Sequence, residues 1–231
     1  LNSSLYRSGS FWAMQTGIAS ADLNMVWNES PLTQEDGGSI EDIKISFQQT
    51  GLPFWCWVFP CGRSEATGEI LQSAGFSFID SIPCMLADLS LPEAEEDDRS
   101  LQIVQVQNEE TLRVWEKVSF AGFDFPPETQ HQYHRFVGTF NLKADSPQKF
   151  FLAYFNGQPV ATSLLFLHET AAGIYFISTL AEIRRKGIGL AITRSTMRVA
   201  RQAGAQYATL QSSPDGLHVY RQAGFQEYCR V

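Results

Sequence analysis

The stretch from Arg184 to Gly189 reads Arg-Arg-Lys-Gly-Ile-Gly, and it lies between an apolar run, 174–180, and a long helical pattern. Glycine lets consecutive backbone N–H groups turn toward one point and approach an anion closely. The start of a helix adds unpaired N–H donors and a partial positive charge. The chain is therefore expected to fold so that a strand, a basic turn and a helix bind phosphate. We predict a ligand with a pyrophosphate or several phosphates.

The glycine spacing separates the kinds of phosphate loop. A P-loop needs Gly-x-x-x-x-Gly-Lys-Ser/Thr, and the chain has no such run. A dinucleotide-binding fold needs a third glycine, but Ile192 stands at that place after Gly189. The remaining pattern, Arg-x-x-Gly-x-Gly, resembles the pyrophosphate loop of the GNAT superfamily, the acetyl-CoA-dependent N-acetyltransferases.

The predicted elements after residue 100 agree with this resemblance. Asn108 can cap a helix, Asn156-Gly157 is a strong hairpin signal, and Gly204 ends the helix that begins at Ile188. The element order matches the GNAT fold, which implies an α/β (α+β) class with a mixed, mostly antiparallel twisted sheet flanked by helices. The predicted strands are 101–106, 149–155, 159–168, 174–180, 207–211 and 225–230, and the predicted helices are 108–120, 128–139, 188–203 and 217–222.

The N-terminal half carries a weak copy of this pattern. Ile70–Phe76 aligns with Val219–Phe225, and Gln49–Gly51 aligns with Gln202–Gly204. A helix at 39–49 and a strand at 54–59 complete the correspondence. We interpret this as a duplication: a smaller, degenerate GNAT-like domain at 1–91, an acidic linker at 92–100, and a catalytic GNAT domain at 101–231.

The copy lacks the residues that a CoA site needs. Glu35 and Asp36 stand where the C-terminal half has basic residues, and their carboxylates would repel a pyrophosphate. Leu71 stands where the C-terminal half has Tyr220. The N-terminal domain is therefore expected to support the catalytic domain, to wall one side of the acceptor site, and not to bind CoA.

The resemblance implies roles for three sets of residues. Backbone groups of Ile177, Ser178 and Thr179 would bind the pantetheine arm and the thioester carbonyl. Tyr220 would protonate the departing thiolate, since a phenol with a pKa of about 10 stays protonated at neutral pH and can still donate. The pyrophosphate would lie among Arg184, Arg185, Lys186, Gly187, Ile188, Gly189 and Ala191.

The general base has several candidates, and a proton relayed by water is also open. The segment that shapes the acceptor pocket in this superfamily is rich in aromatic residues, which indicates an apolar component in the acceptor. A metal site is not expected, because two histidines at i and i+3 have no third ligand at a supportive spacing. The candidate bases are Asp124, Glu128, His131, His134 and Glu182, and the aromatic residues are Phe120, Phe123, Phe125 and Tyr133.

Composition limits the compartment and the partners. The chain has 231 residues and no apolar run near the roughly 18 that a membrane span needs. It opens without a basic-then-apolar leader, and its four cysteines have no zinc spacing. Residues 1–98 have 3 basic and 15 acidic residues, a net −12, whereas residues 99–231 have 14 and 10, a net +4. We expect a cytoplasmic monomer or homodimer that binds no nucleic acid and no membrane.

Three functions are compatible with these features. The first is transfer of an acetyl group from acetyl-CoA to a primary amine of a small molecule or peptide. The second is a catalytically silent acyl-CoA-binding sensor or scaffold. The third, a tandem aminoacyl-transferase with a charged-tRNA donor, would need a basic surface and is disfavoured by the −12 of the first part.

Overall fold

The structure, a computed structural model, describes residues 3–91 and 101–231. It divides into two compact units. The first comprises the described residues up to Ile82, with Pro127–Phe136 and Cys229–Val231; the second comprises the described part of Pro83–Pro126 and Val137–Tyr228. The expected acidic linker, 92–100, lies outside the described residues.

A four-stranded sheet and two helices form most of the first unit. Its strands lie in the order of the chain, and only the last pair is parallel. Phe11 and Val26 on the sheet pack with Ile40, Ile43 and Phe47 of the first helix. The elements are β1 (Ser4–Ser8), β2 (Phe11–Gln15), β3 (Met25–Asn28), α1 (Gly37–Thr50), β4 (Trp55–Trp57) and α2 (Thr67–Ser73).

The second unit is built on a seven-stranded sheet. The elements that follow Ile82 are β5 (Pro83–Asp88), β6 (Leu101–Gln105), α3 (Glu109–Gly122), α4 (Gln130–Val137), β7 (Gln148–Phe155), β8 (Gln158–His168), β9 (Ala171–Thr179), α5 (Ile188–Gln202), β10 (Tyr207–Gln211), α6 (Leu217–Gln222) and β11 (Gln226–Arg230). Of these, α4 belongs to the first unit except for Val137. The strand order is β11-β5-β10-β9-β8-β7-β6; the β10–β9 pair is parallel, and the β10–β5, β9–β8, β8–β7 and β7–β6 pairs are antiparallel. This mixed, mostly antiparallel sheet with flanking helices confirms the predicted fold class.

Local sequence explains why several elements begin and end where they do. Asn108 Oδ1 accepts a hydrogen bond from the Thr111 N–H at 2.9 Å, which caps α3. Asn156 and Gly157 have φ of 51° and 76°, the left-handed conformation that a tight hairpin between β7 and β8 requires. Most of the predicted bounds agree with the structure within about two residues, as expected for helix ends.

The boundary between the two domains differs from the expected one at residue 91. Residues 83–88 form β5, which pairs with β10 from Asp88↔Tyr207 to Cys84↔Gln211. The edge of β10 needs hydrogen-bond partners, and Met85 and Ala87 are buried in the core of the second unit. The division therefore falls between Ile82 and Pro83.

The core of the second unit holds the elements that carry the site. Ile192, Met197 and Ala200 of α5 pack on one face of the sheet with Ile174 and Ala208. On α3, Trp115 is fully buried, and its indole N–H donates to the Ser163 carbonyl of β8 at 3.2 Å. Among residues 3–91 and 101–231, no helix is both long and apolar enough to span a bilayer.

Candidate active site

Two residues of the basic turn have a left-handed backbone conformation. Arg185 has φ of 66° and Gly187 has φ of 78°, and α5 begins immediately afterwards at Ile188. Left-handed backbone is uncommon for a residue with a side chain and is often found at functional sites. Arg185, Lys186 and Gly187 are exposed. The turn thus presents basic side chains beside a helix N-terminus, an arrangement that suits an anion.

Two of the predicted phosphate contacts already have partners within the protein. The Lys186 ammonium lies 5.5 Å from the centre of the Phe155 ring, a cation–π contact. The Ala191 N–H donates to the Gly187 carbonyl at 3.0 Å, so this amide is used inside the first turn of α5. An anion that binds at the turn would therefore compete with the Phe155 ring for Lys186. Its backbone N–H donors would come from residues that precede Ala191 in the chain.

The strand before the turn separates from its neighbour. β9 pairs with β10 only at Ala171, Ala172 and Gly173, and then continues to Thr179. Two parallel strands that diverge leave backbone N–H and C=O groups available along the gap. Ile177, Ser178 and Thr179, the predicted contacts of the thioester, lie on this diverging part of β9.

A β-bulge lies in the diverging part of β9. The register with β8 shifts between Thr162 and Leu164, and Phe176 has φ of 50°. Thr162 Oγ1 donates to the Phe176 carbonyl at 2.9 Å and lies 2.8 Å from Ser178 Oγ. Because a threonine hydroxyl has one hydrogen, Ser178 Oγ donates to Thr162 Oγ1. Any hydrogen bond that Ser178 donates to a ligand must therefore come from its backbone N–H, as the resemblance implies.

Arg184 is bound to backbone carbonyls of two other elements. Its Nε donates to the Thr179 carbonyl at the end of β9, and its Nη2 donates to the Gly122 carbonyl at the end of α3, each at 2.9 Å. Gly122 is also pressed against β9, since a Cβ atom there would lie 2.5 Å from Ser178 Oγ. Arg184 is the first residue of the basic turn, and it also joins the end of α3 to the end of β9.

Three predicted parts of the site meet at Gly189. A Cβ atom on Gly189 would lie 3.8 Å from Thr179 Oγ1 and 3.9 Å from Val219 Cγ1. Thr179 ends the diverging strand, and Val219 precedes Tyr220 on α6. The end of β9, the start of α5 and the helix of Tyr220 are therefore neighbours.

Tyr220 is 9% exposed, and its ring lies against the helix that carries it. A Cβ atom on Gly216 would lie 2.6 Å from Tyr220 Cε2, and the Phe225 ring is 6.1 Å away in an edge-on arrangement. Burial raises the pKa of Tyr220 to about 12. The hydroxyl therefore keeps its proton at neutral pH and can act as a donor.

The segment after α3 brings aromatic side chains to the bulge. The Phe123 ring lies 5.8 Å from the Phe176 ring and 5.7 Å from the Phe125 ring, and Phe123 is 40% exposed. Asp124, the next residue, is exposed with φ of 54°. Among the candidate bases, Asp124 and Glu182 belong to the second unit, whereas Glu128, His131 and His134 belong to the first. Within the described ranges, no group of three or more His, Cys, Asp or Glu residues could hold a metal.

Two features of this site are absent from the sequence-based prediction. Thr162 and Gly122 are both buried beside the predicted thioester contacts. The sequence does contain a signal for Thr162. The polar pair Thr162-Ser163 interrupts an apolar strand, and buried hydroxyls need hydrogen-bond partners. Gly122 gives no comparable signal, since the sequence does not show which helix approaches β9.

In the first unit, acidic residues occupy the segment before α1. The Asp36 carboxylate accepts from Ser10 Oγ at 2.6 Å, from the Thr33 N–H at 2.8 Å and from Thr33 Oγ1 at 3.1 Å. Partial burial raises the pKa of Asp36, but these hydrogen bonds outweigh it and the net pKa is lowered. A carboxylate that stays ionised before α1 disfavours a phosphate at this helix.

Residues 109–225 match the family model described as the Acetyltransferase (GNAT) family. No curated protein sequence matches the chain. Among solved structures, a GCN5-related N-acetyltransferase from Kribbella flavida matches with a TM-score of 0.73 and 16% identity, covering 99% of this chain and 87% of the other. One from Sphaerobacter thermophilus matches with a TM-score of 0.71 and 16% identity, covering 96% and 74%.

A third similar structure is a GCN5-related glucosamine N-acetyltransferase region of a fungal multi-domain GH3 beta-N-acetylglucosaminidase. It matches with a TM-score of 0.64 and 16% identity, covering 96% of this chain and 31% of the other. These three matches span nearly the whole chain and show that both units share the fold of the solved proteins. At this identity they show the fold alone.

Proposed function

This chain belongs to the GNAT acetyltransferase family, and we propose that it transfers an acetyl group from acetyl-CoA to a primary amine. The observation that carries the proposal is the meeting of three elements at Gly189. The diverging strand end at Thr179, the basic turn and the helix of Tyr220 lie around one residue. Acyl-CoA carries its thioester at one end of the pantetheine arm and its diphosphate at the other, so it needs a strand end, an anion-binding turn and a proton donor along one continuous surface.

The diphosphate is proposed to bind at the basic turn. Arg185, Lys186 and the backbone of Gly187, Ile188 and Gly189 provide charge and N–H donors at the start of α5. Arg184 and Ala191, which the family resemblance also implies, donate instead to the protein carbonyls described above. The second unit also holds most of the positive charge of the chain, which favours an anionic substrate.

The thioester carbonyl is proposed to lie beside Ile177, Ser178 and Thr179. Their backbone groups lie where β9 has left β10, so an N–H there can donate to the carbonyl oxygen and stabilise charge that develops on it. The amine nitrogen attacks the carbonyl carbon, the C–S bond breaks, and the products are an amide and the free thiol of CoA.

Tyr220 is the proposed general acid. With a pKa of about 12, the phenol is a weaker acid than a thiol, whose pKa is about 8.5. It therefore stabilises the departing sulfur chiefly by donating a hydrogen bond, and the proton moves late, as the C–S bond breaks. Asp124 and Glu182 are the candidate bases in the second unit, and a water relay is an alternative.

A release assay tests the proposal directly. Purified protein and acetyl-CoA are mixed with a panel of primary amines, and free CoA thiol is measured while acetyl-CoA binding is followed separately by thermal shift. The panel includes amino acids, peptides, polyamines, antibiotics and glucosamine, the last because a similar structure is described as a glucosamine N-acetyltransferase region. Thiol release above the amine-free rate supports the proposal. Tight binding with no release for any amine would instead support the silent sensor.

A further inference from the structure

We propose that Arg184 is a positioning residue that holds the end of α3 against the end of β9 and so shapes the acceptor side of the acyl site. This inference rests on the proposed function. It gives Arg184 a role other than the phosphate contact that the family resemblance implies. The guanidinium acts through the backbone of two elements and does not need to touch the substrate.

The two hydrogen bonds of Arg184 show how it acts. Its Nε and Nη2 reach the carbonyls of Thr179 and Gly122, each at 2.9 Å, and the second bond spans 62 residues of chain. The last carbonyls of a helix lack intrahelical donors and carry partial negative charge. A guanidinium at the Gly122 carbonyl therefore stabilises the end of α3 and ties it to the diverging strand.

A second contact joins the same two elements. Gly122 lies so close to β9 that a Cβ atom would come within 2.5 Å of Ser178 Oγ and 2.8 Å of Ser178 Cβ. Ser178 Oγ is in turn held at 2.8 Å by Thr162, which also bonds the Phe176 carbonyl of the bulge. The end of α3 is thus fixed to the part of β9 proposed to hold the thioester.

The attachment of α3 to β9 fixes the position of Phe123. It follows Gly122 directly, is 40% exposed, and packs edge-on against Phe176 at 5.8 Å. An amine that attacks a carbonyl held at 177–179 must approach beside these rings. Displacing Gly122 would move Phe123, so Arg184 controls the acceptor side. The exposed ring fits an acceptor that carries an apolar group next to its amine.

Arginine and lysine differ in this role. A phosphate contact needs only a positive charge, which lysine also supplies. The observed bridge uses donors on two separate nitrogens of one planar guanidinium, whereas a lysine ammonium carries all of its N–H groups on a single nitrogen. Arg184→Lys therefore separates the two roles, and the neighbouring Arg185→Met serves as the matched control.

The experiment compares wild type, Arg184→Lys, Arg184→Met and Arg185→Met. Three quantities are measured: the dissociation constant of CoA by calorimetry, the acceptor KM and kcat, and backbone amide exchange over 120–125 without any ligand. In both Arg184 variants we expect faster exchange over 120–125 and an acceptor KM raised about tenfold, from the loss of charge-assisted hydrogen bonds. CoA affinity should stay within about twofold, whereas Arg185→Met should weaken CoA about tenfold and leave the exchange unchanged.

Two results would overturn the inference. The first is an Arg184→Lys variant with wild-type acceptor KM and wild-type exchange, since charge alone would then be sufficient. The second is a loss of CoA affinity in Arg184→Met equal to that in Arg185→Met with unchanged exchange. Failure of the proposed function has a different signature, because wild type would then release no CoA with any amine, whether or not it binds CoA. The exchange comparison needs neither, and it still tests the attachment of α3.

Discussion

Thr162 Oγ1 lies 2.8 Å from Ser178 Oγ, and both side chains are buried between β8 and β9. The same Thr162 hydroxyl donates to the carbonyl of Phe176. The φ of 50° at Phe176 marks the bulge. A left-handed phenylalanine costs of order 1–3 kcal/mol, so the bulge persists only if its surroundings hold it. The Thr162 hydroxyl bonds the bulge carbonyl directly, and the Ser178 hydroxyl donates to Thr162 in turn.

We therefore predict that Thr162→Val lowers the free energy of unfolding by about 1–3 kcal/mol, because Ser178 and the Phe176 carbonyl lose a partner in a buried place. Urea unfolding followed by circular dichroism measures the loss. Thr162→Ser keeps the hydroxyl and removes only a methyl group, which costs about 1 kcal/mol. The serine variant should also keep wild-type kcat, while the valine variant loses about tenfold or more. Equal kcat in the two variants would show that the hydroxyl does not support catalysis.

The basic turn provides the second prediction. Arg185→Glu with Lys186→Glu should remove stabilisation by CoA, because two carboxylates at the start of α5 would repel the diphosphate. At a hundredfold excess over its Kd, CoA should stabilise wild type by about 2.7 kcal/mol, and thermal shift measures this. Both residues are exposed, so the ligand-free melting temperature should change little.

The control for that pair is Arg113→Glu with Lys117→Glu, the same change of charge on exposed positions of α3. This control should keep its stabilisation by CoA. Retained stabilisation in the Arg185 and Lys186 variant would mean that the anion binds elsewhere on the protein.

Local sequence signals predicted much of this fold, because they act over a few residues. Asn156 and Gly157 adopt left-handed backbone at the predicted hairpin, and α6 occupies the predicted 217–222. The pairing of β5 with β10 could not be predicted from such local signals. Its burial pattern alternates as any half-buried strand does, and its partner β10 is far along the chain. Pairing between distant segments depends on the assembled core and not on local pattern.

The residues of the candidate site also fall into those that short motifs predicted and those that only the structure revealed. The glycines, the basic residues and the tyrosine were recognisable because each belongs to a short motif. The carbonyl partners of Arg184 were not, since Gly122 lies 62 residues away and contributes only backbone. The motif thus predicted that Arg184 lies between a strand and a helix, as it does, while its hydrogen bonds required the structure.

Asp36 of the first unit supports a prediction about pH. Its folded-state pKa is lowered because hydrogen bonds from Ser10 and Thr33 outweigh the effect of burial. A lowered pKa means that the ionised form stabilises the fold above the unfolded pKa of about 4, and that this contribution disappears as pH falls through the folded pKa. Asp36→Asn should therefore destabilise the protein at pH 7 by about 1 kcal/mol or less, given its partial exposure.

Urea unfolding at pH 7 and at pH 3.5 or below, about where an aspartate protonates, measures this difference. The gap between wild type and Asp36→Asn should shrink at the lower pH. Asp42→Asn changes an exposed aspartate of α1 and should leave stability unchanged at both values. A gap for Asp36→Asn that is constant with pH would mean that its ionisation does not contribute.

Tyr220→Phe should lower kcat while CoA affinity stays within about twofold, because the hydroxyl acts on the departing sulfur and general acid help is worth about 10²–10⁴ in rate. The pKa of about 12 adds a second expectation: wild-type kcat should show no loss from deprotonation of Tyr220 between pH 7 and about 10. Tyr228→Phe removes the hydroxyl of a tyrosine that is 79% exposed and should have no effect. Steady-state kinetics across this pH range and calorimetry with CoA provide the comparison. Wild-type kcat in Tyr220→Phe would remove the acid role and leave water as the proton donor to sulfur.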